Sequence, residues 1–419
     1  MRVIFLMNGT THYYNRVLSK LNLEPNVEIT MIIPANASDH VGAGVFQTTE
    51  GINYKLIKLE EVPFFGATST FKGLAGVLSQ EKPNIVVVIE SYLYPFILDI
   101  SVVITMKTLR AGLILKDHPF RLPTYQEVCK KPEIRKIGFA RFPPVINDFL
   151  LRTGMMRPLR YVHWPYRRVR AAIRKLARCS ADAHVNYVEA YELLGSWGIP
   201  QERIFITRNS PDTDLLFSVK DSLVGKPSAL PANPYRLIHV GRLVEWKRVD
   251  MLIRAFARVR ARFPEAELLI VGTGPEEDSL AKLCDELHLG KSVIFTGGVY
   301  TPQLLGQYLM ASRLYILAGM GGLSINDAMC FGLPVLCSIG DGTEKILVRE
   351  GINGRYFCDG DENDLFEKII WFFEHPEQSK EMGLKSEEII RNEVNIHTVI
   401  NGYMEAFRYV RKKKSLECH

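Results

Sequence analysis

The 419-residue chain has little of what marks a membrane-spanning, disulfide-stapled or dinucleotide-binding protein. Its longest apolar stretch, Phe96 to Met106, is interrupted by Asp99 and stops at Lys107, well short of the roughly 20 residues that cross a bilayer. No transmembrane helix is predicted. The seven cysteines (Cys129, Cys179, Cys284, Cys330, Cys337, Cys358, Cys418) are odd in number and scattered, without a CxxC pair or Cys/His ligand spacing. A disulfide framework and a structural zinc are thereby excluded, and a reducing cytosol fits best. The first apolar run, six residues long, leads into MNGTTHYY with no small-residue cleavage site and no GxGxxG, so it reads as a first strand, not as a leader or a dinucleotide fingerprint.

What is present describes a globular chain: 47% hydrophobic residues, 23% charged and a mean hydropathy of zero. At roughly 150 residues per domain, two to three domains are expected. The net charge of +6 is unevenly spread. Lys130 to Arg178 holds 14 Lys+Arg against Glu133 and Asp148, a local +12 that leaves −6 for the remainder. A localised excess of this kind points to a surface partner. Within it, RRVRAAIRKLAR (Arg167 to Arg178) sets Val169, Ile173 and Leu176 on one stripe and the arginines elsewhere. That pattern has two readings: a cationic helix on an anionic membrane, or a solvated face over an ordinary core stripe. Nucleic-acid binding ranks lower, because no base-reading motif accompanies the charge.

Short β-branched runs alternate with helical patterns through both halves, the signature of parallel sheets with crossover helices. In the first half, strands are expected at Arg2 to Met7, Val27 to Pro34, Ile52 to Leu59, Asn84 to Glu90, Gly112 to Lys116 and Ala183 to Tyr187, with one helix over Tyr92 to Arg110. Residues 218–234 (SVKDSLVGKPSALPANP) lack apolar periodicity and read as a linker. Strands at Arg236 to Val240, Glu267 to Val271, Ser292 to Thr296, Arg313 to Ala318 and Pro334 to Cys337 follow, with helices from Lys247, Pro275, Gln303 and Ser324. The expected organisation is an amino-terminal domain over 1–217, the linker, a second domain over 235–394 and a terminal helix over 395–419.

Two segments carry chemistry. In RLIHVGRLVEWK a strand runs into Gly241 and delivers Arg242 to the carboxyl end of a sheet, where open α/β folds bind ligands, with Lys247 at the next helix. An Arg fork and a Lys point charge suit a leaving diphosphate. In LYILAGMGGLSINDAMCFGLPV a strand passes through Gly319, Gly321, Gly322 and Leu323 into a helix opening at Ser324, a turn where backbone amides can meet phosphate. LLIVGTGPEEDSL differs: Glu276, Glu277 and Asp278 occupy the first turn and would repel phosphate, so this loop reads as structural or as part of a nucleoside wall. The triplets Asp212-Thr213-Asp214 and Asp359-Gly360-Asp361 resemble metal-binding DxD, but one lies in a hinge-like sequence and the other before a helix, where acids serve as caps.

In this order, GRLVEWK, LLIVGTGPEEDSL, VIFTGGV, GGLSINDAMCFGLPV and DGTEKILVREGINGRYF resemble the family 4 retaining glycosyltransferases, and RIFITRNSPDTDLLF resembles the family's hinge. The resemblance implies an α/β GT-B fold: two Rossmann-like domains facing across a cleft, with the last helix packing back on the first domain. It implies transfer of a sugar from a nucleotide diphosphosugar to a hydroxyl acceptor with retention, without metal or other cofactor. Arg242 and Lys247 match the diphosphate-binding cations, and His118 in LILKDHPF matches a His beside the donor sugar. Asp327 stands where the family usually has a ribose-binding Glu, Val299 matches a segment meeting the base, and Glu344 matches a frequent acid. Asn8, Gly9 and Thr10 are acceptor-side candidates. The family's Glu-x7-Glu places its first Glu at position 319, where this chain has Gly. A lipid-linked or surface-polysaccharide acceptor and a peripheral position on the inner face of the cell membrane are expected from the basic segment. A donor-binding scaffold subunit and a nucleotide-sugar epimerase remain as alternatives.

Overall fold

The computed structural model describes residues 1–36, 46–64, 68–117, 122–129, 157–340 and 342–416. In chain order the amino-terminal elements are β1 (Arg2–Leu6), α1 (His12–Leu21), β2 (Glu28–Pro34), β3 (Lys55–Leu59), β4 (Glu61–Phe64), β5 (Thr68–Phe71), α2 (Leu74–Glu81), β6 (Ile85–Ile89), α3 (Glu90–Leu98), α4 (Ile100–Leu109), β7 (Gly112–Lys116), α5 (Tyr125–Cys129), α6 (Arg157–Cys179), β8 (Ala183–Asn186), α7 (Tyr191–Ser196) and β9 (Ile204–Ile206). Next come α8 (Thr213–Leu223), β10 (Arg236–Val240), α9 (Val249–Arg262), β11 (Glu267–Val271), α10 (Glu277–Glu286), β12 (Val293–Phe295), α11 (Pro302–Met310), β13 (Leu314–Leu317), α12 (Ser324–Cys330), β14 (Val335–Cys337), α13 (Glu344–Leu347), β15 (Gly354–Tyr356), α14 (Glu362–Glu374), α15 (Pro376–Asn392) and α16 (Ile396–Leu416).

The chain divides into two compact units, residues 1–61 with 206–405 and residues 62–205 with 406–419. The first unit contains a parallel ladder of β1, β2 and β3 and a six-stranded sheet in the order β12-β11-β10-β13-β14-β15, parallel throughout. Numbered within that sheet the order is 3-2-1-4-5-6, so the chain winds outward from β10 in one direction and then from β13 in the other. A topological switch point lies between these two strands.

Strands covered on both faces read as continuous apolar runs, and LLIV of β11 is fully buried. Alternate residues feed opposite cores. Leu237, Leu268, Ile270, Leu314 and Ile316 join Leu252 and Phe256 of α9 and Leu365 and Ile369 of α14. Ile238, Leu269, Val271, Tyr315 and Leu317 join Leu216 and Val219 of α8, Ile325 and Met329 of α12 and Ile389 of α15. Because Val219 and Leu223 are buried in that second core, α8 runs to Leu223, into the stretch read as linker. Its periodicity is hidden by the polar residues on its outer face.

Both DxD-like triplets cap helices. Asp212 accepts from the Leu215 amide at 3.3 Å at the start of α8, and Asp361 accepts from Asn363 and Asp364 at 2.9 and 3.0 Å at the start of α14. The amino-terminal part of α16 packs on β1 and α1 in this unit: Tyr403 meets the Tyr14 hydroxyl at 2.8 Å and the Phe5 ring edge-on.

The second unit contains the parallel ladder of β6, β7 and β8. Where one helix was expected over Tyr92 to Arg110, α3 and α4 meet at an 88° bend. Asp99 explains the break: it leaves the helical region at φ −76°, ψ 105° and caps α4, accepting from the Ser101 and Val102 amides at 2.9 and 3.2 Å. The end of α16 reaches this unit through Lys413, 2.8 Å from Asp182, whose other oxygen accepts from the Leu113 amide.

Basic helix α6 is anchored at its carboxyl end by Arg178, which is buried and pairs with Asp117 and with Glu90 at 2.6 Å. Burial alone would raise the Asp117 carboxyl, but the Arg178 charge and a hydrogen bond from His184 at 3.0 Å hold it below its ordinary value. Ala171 and Ala177 share the buried face, whereas Val169, Ile173 and Leu176 are 58%, 51% and 71% exposed. The apolar stripe therefore faces outward, and the reading as an ordinary core stripe is overturned. Small residues and one paired arginine supply the inner face instead.

Candidate functional site at the sheet switch point

The loops that follow β10 and β13 leave the sheet on either side of its switch point and meet above it. The first passes through Gly241 and Arg242, makes a single 3-10 turn over Glu245–Lys247, and enters α9 at Val249 after Arg248 takes a left-handed φ of 53°. Lys247 thus precedes the helix that it was expected to open. Its side chain is buried, and Nζ donates to the Met320 and Gly321 carbonyls at 2.7 and 2.6 Å. In a trans peptide the N–H points opposite to the C=O. The Gly321 and Gly322 amides therefore face away from the ammonium, on the outer side of the loop. Leu323 and Ser324 carry on into α12, whose first-turn amides have no acceptor within the helix. The result is a set of outward amides with a cation behind them. Arg242 is half-buried, with its guanidinium 5.6 Å from the Trp246 ring centre.

The glycine at 319 has a steric cause. A Cβ there would stand 2.3 Å from the Trp246 carbonyl oxygen and under 3 Å from the Lys247 backbone, and the Met320 amide donates to that same Trp246 oxygen at 3.0 Å. The two loops are stitched backbone to backbone, so no side chain fits where the Glu-x7-Glu pattern has its first carboxylate. The turn after β11 is built the same way for a different end. Gly272, at φ 151°, lies where a Cβ would be 1.8 Å from the Gly241 carbonyl oxygen. This turn supports the Arg242 loop, with Leu243 and Thr273 hydrogen-bonded at 3.0 Å.

Asp327, in the first turn of α12, is half-buried, and desolvation pushes its carboxyl up to about 7 against the opposing charge of Arg16. The Ser324 hydroxyl is 2.7 Å from that of Tyr315. Glu344 is buried at the start of α13 and accepts from the Gly342 amide at 2.9 Å. Val299 is half-buried and packs against the core that includes Ile325. Its neighbour Tyr300 stacks on Phe46 at 4.1 Å between ring centres, with His12 edge-on at 6.1 Å. That contact brings the turn after β1 beside the Val299 segment. There Asn8 is half-buried, Gly9 and Thr10 are buried, and the Thr10 amide donates to Gln47 at 3.3 Å. His118 lies outside the described residues, as does the basic segment over 130–156.

Sequence reasoning passed over Arg16, Tyr300 and His239. No motif marks the first two, whose roles depend on contacts some 250 to 310 positions along the chain. His239 ends RLIHV and carried a signal, a polar residue in a buried strand. It is fully buried, its Nδ1 lies 3.0 Å from the Ile316 carbonyl, and desolvation lowers its pKa to about 4, with Lys247 adding in the same direction. The imidazole stays neutral behind the two cations.

Several known proteins are similar to this chain in sequence or in fold. An N-acetyl-alpha-D-glucosaminyl L-malate synthase of Bacillus anthracis is 25% identical over 239 residues, covering 56% of this chain and 60% of the relative. An uncharacterized glycosyltransferase of Methanocaldococcus jannaschii is 29% identical over 180 residues, covering 42% and 45%. The aligned stretches span about half the length of these curated relatives. Among solved structures, Anabaena HepE in complex with UDP superimposes with a TM-score of 0.64 at 17% identity over 97% of this chain and all of that one. A sucrose-phosphate synthase from Thermosynechococcus elongatus gives 0.64 at 16% identity, covering 99% and 100%. The likeness is one of fold, two Rossmann-like parallel assemblies of GT-B type. Residues 225–388, which contain Arg242, Lys247, the glycine loop and Asp327, match the family model described as Glycosyl transferases group 1, and this part of the chain is similar to that family.

Proposed function

We propose that the chain is a retaining glycosyltransferase that moves a sugar from a nucleotide diphosphosugar to a hydroxyl acceptor at a membrane surface. The observation that carries the reading is the Lys247 ammonium held 2.6–2.7 Å from two glycine-loop carbonyls at the switch point. It fixes the outward amides of Gly321 and Gly322 in place before any substrate arrives. Preorganised donors of this kind stabilise charge developing on a departing phosphate oxygen without reorganising during the reaction. Arg242 adds a planar fork to the same loop pair. In this reading Asp327, where the family usually has a ribose-binding Glu, takes the ribose hydroxyls of the donor. With a carboxylate excluded at 319, backbone amides replace it as the donor-sugar contact.

Known relatives support this class. HepE is crystallised with UDP and with UDP-glucose, and another relative is a GDP-mannose-dependent phosphatidylinositol monomannoside mannosyltransferase from Mycolicibacterium smegmatis, 26% identical over 158 residues. The membrane setting rests on α6, whose apolar stripe points outward between the exposed Arg168 and Arg170, the pattern of a helix lying in a lipid interface.

The test is release of nucleoside diphosphate from a panel of nucleotide sugars, with and without lipid-linked acceptors. Acceptor-dependent release by the native chain, lost in both Arg242→Ala and Lys247→Ala with folding intact, is the expected result. Near-native rates in both variants would sink the site assignment. Binding without turnover across the panel would instead favour a scaffold subunit.

A further inference from the structure

Resting on the membrane reading above, we infer that the α3–α4 corner is a second lipid-docking element, with Leu98, Ile100 and Ile104 entering the headgroup region of an anionic bilayer. These side chains are 55%, 75% and 58% exposed, although the helices that carry them bury Tyr92, Leu93, Phe96, Val102 and Met106. Three large aliphatic residues within seven positions, all outward, form a patch of the kind that marks an interaction surface.

Three observations favour lipid as the occupant. First, the two helices together reach the length and apolar composition of a membrane segment, yet the 88° bend folds them into a wedge. A wedge dips into an interface without crossing it. Second, the corner satisfies its own backbone donors, since Asp99 accepts from the amides of Ser101 and Val102. A turn entering a region poor in water needs that self-sufficiency. Third, cations border the patch. Lys107 and Arg110 are exposed at the end of α4. On α3, Tyr94 lies one helical turn before Leu98 and within electrostatic reach of Arg170 and Arg174 of α6. Exposed apolar side chains bordered by Lys107 and Arg110 match the apolar edge and the negative headgroups of anionic lipid together.

The experiment is flotation with phosphatidylcholine vesicles holding about 30 mol % phosphatidylglycerol at ~0.1 M and ~0.5 M NaCl, where screening separates charge from apolar insertion. Leu98→Asp with Ile100→Asp is expected to weaken partitioning at least tenfold at both salts, and Ile104→Trp to strengthen it. Arg168→Gln with Arg170→Gln is expected to weaken it only at the lower salt. All these positions are exposed, and unchanged thermal melts confirm folding. If the aspartate pair floats like the native chain while the arginine pair does not, the corner is overturned and α6 stands. If the aspartate pair fails and the arginine pair is unaffected, the corner stands and the α6 reading falls. If the native chain does not float at either salt, both fall.

Discussion

Two glycine turns leave strands on either side of β10, and on paper they look alike: VGTGPEEDSL after β11 and AGMGGLSIND after β13. Both let backbone meet backbone. A Cβ at Gly272 would strike the Gly241 carbonyl, and one at Gly319 the Trp246 carbonyl. They differ in what lies behind and ahead of the turn. The first leads into three acids and carries no cation; the second is gripped by the Lys247 ammonium and leads into a helix start without an acid until Asp327. A glycine turn before a helix therefore reports close approach, while the charge around it decides whether the approaching group is protein or phosphate.

The largest effect that bears on this contrast is at Lys247. Lys247→Ala should lower the rate of sugar transfer by about 10²–10³-fold, the scale of losing a preorganised charge stabiliser. Steady-state kinetics check it, and Lys247→Arg should not restore the rate, because the longer planar fork does not fit two carbonyls 2.6–2.7 Å away. Next is Gly319. Restoring the family's acid by Gly319→Glu should not raise activity and should cost roughly 1–3 kcal/mol or more of stability by overpacking, as should Gly319→Ala, read by chemical denaturation. A stable, faster Glu variant would show that the two loops are not stitched as described.

A third prediction concerns pH. The Asp327 carboxyl titrates near 7 in the folded chain against an ordinary 3.8, so the folded state holds a proton that the unfolded state releases between about pH 4 and 7. Stability contributed by this group is present below that window and is lost as pH rises through it. Asp327→Asn should therefore melt higher than the native chain at pH 8, with the difference gone near pH 4; since a tenfold change in proton affinity is worth about 1.4 kcal/mol, the scale is a few kcal/mol. Arg16→Gln should move the midpoint upward. The smallest effect belongs to the other turn. Neutralising Glu276, Glu277 and Asp278 should leave nucleotide affinity within a factor of about two, since these acids serve a helix start; a marked gain in titration calorimetry would mean that they face the ligand.

Much of this was legible in advance because it is local. Strand runs such as ELLIV and RLIHV, acids ahead of α8 and α14, and the cation-bearing turn after β10 follow from residue type and near neighbours. The single helix expected over Tyr92 to Arg110 failed at Asp99, where capping outweighed apolar continuity. The linker reading overlapped α8 because only Val219 and Leu223 of its second half face the core. Arg16 beside Asp327 and Phe46 on Tyr300 were out of reach, since no pattern in a single chain pairs residues that distant.

The amino-acid sequence by itself determined the alternating α/β architecture, the family motifs and the cationic excess, because periodicity and charge act over one or two turns. Only the tertiary structure decided that Gly319 has no room for a carboxylate, that Lys247 grips the loop from behind, and that the apolar stripe of α6 faces out. Each of these depends on which backbone or solvent lies within a few ångströms, and that is set by the packing of segments far apart in the chain.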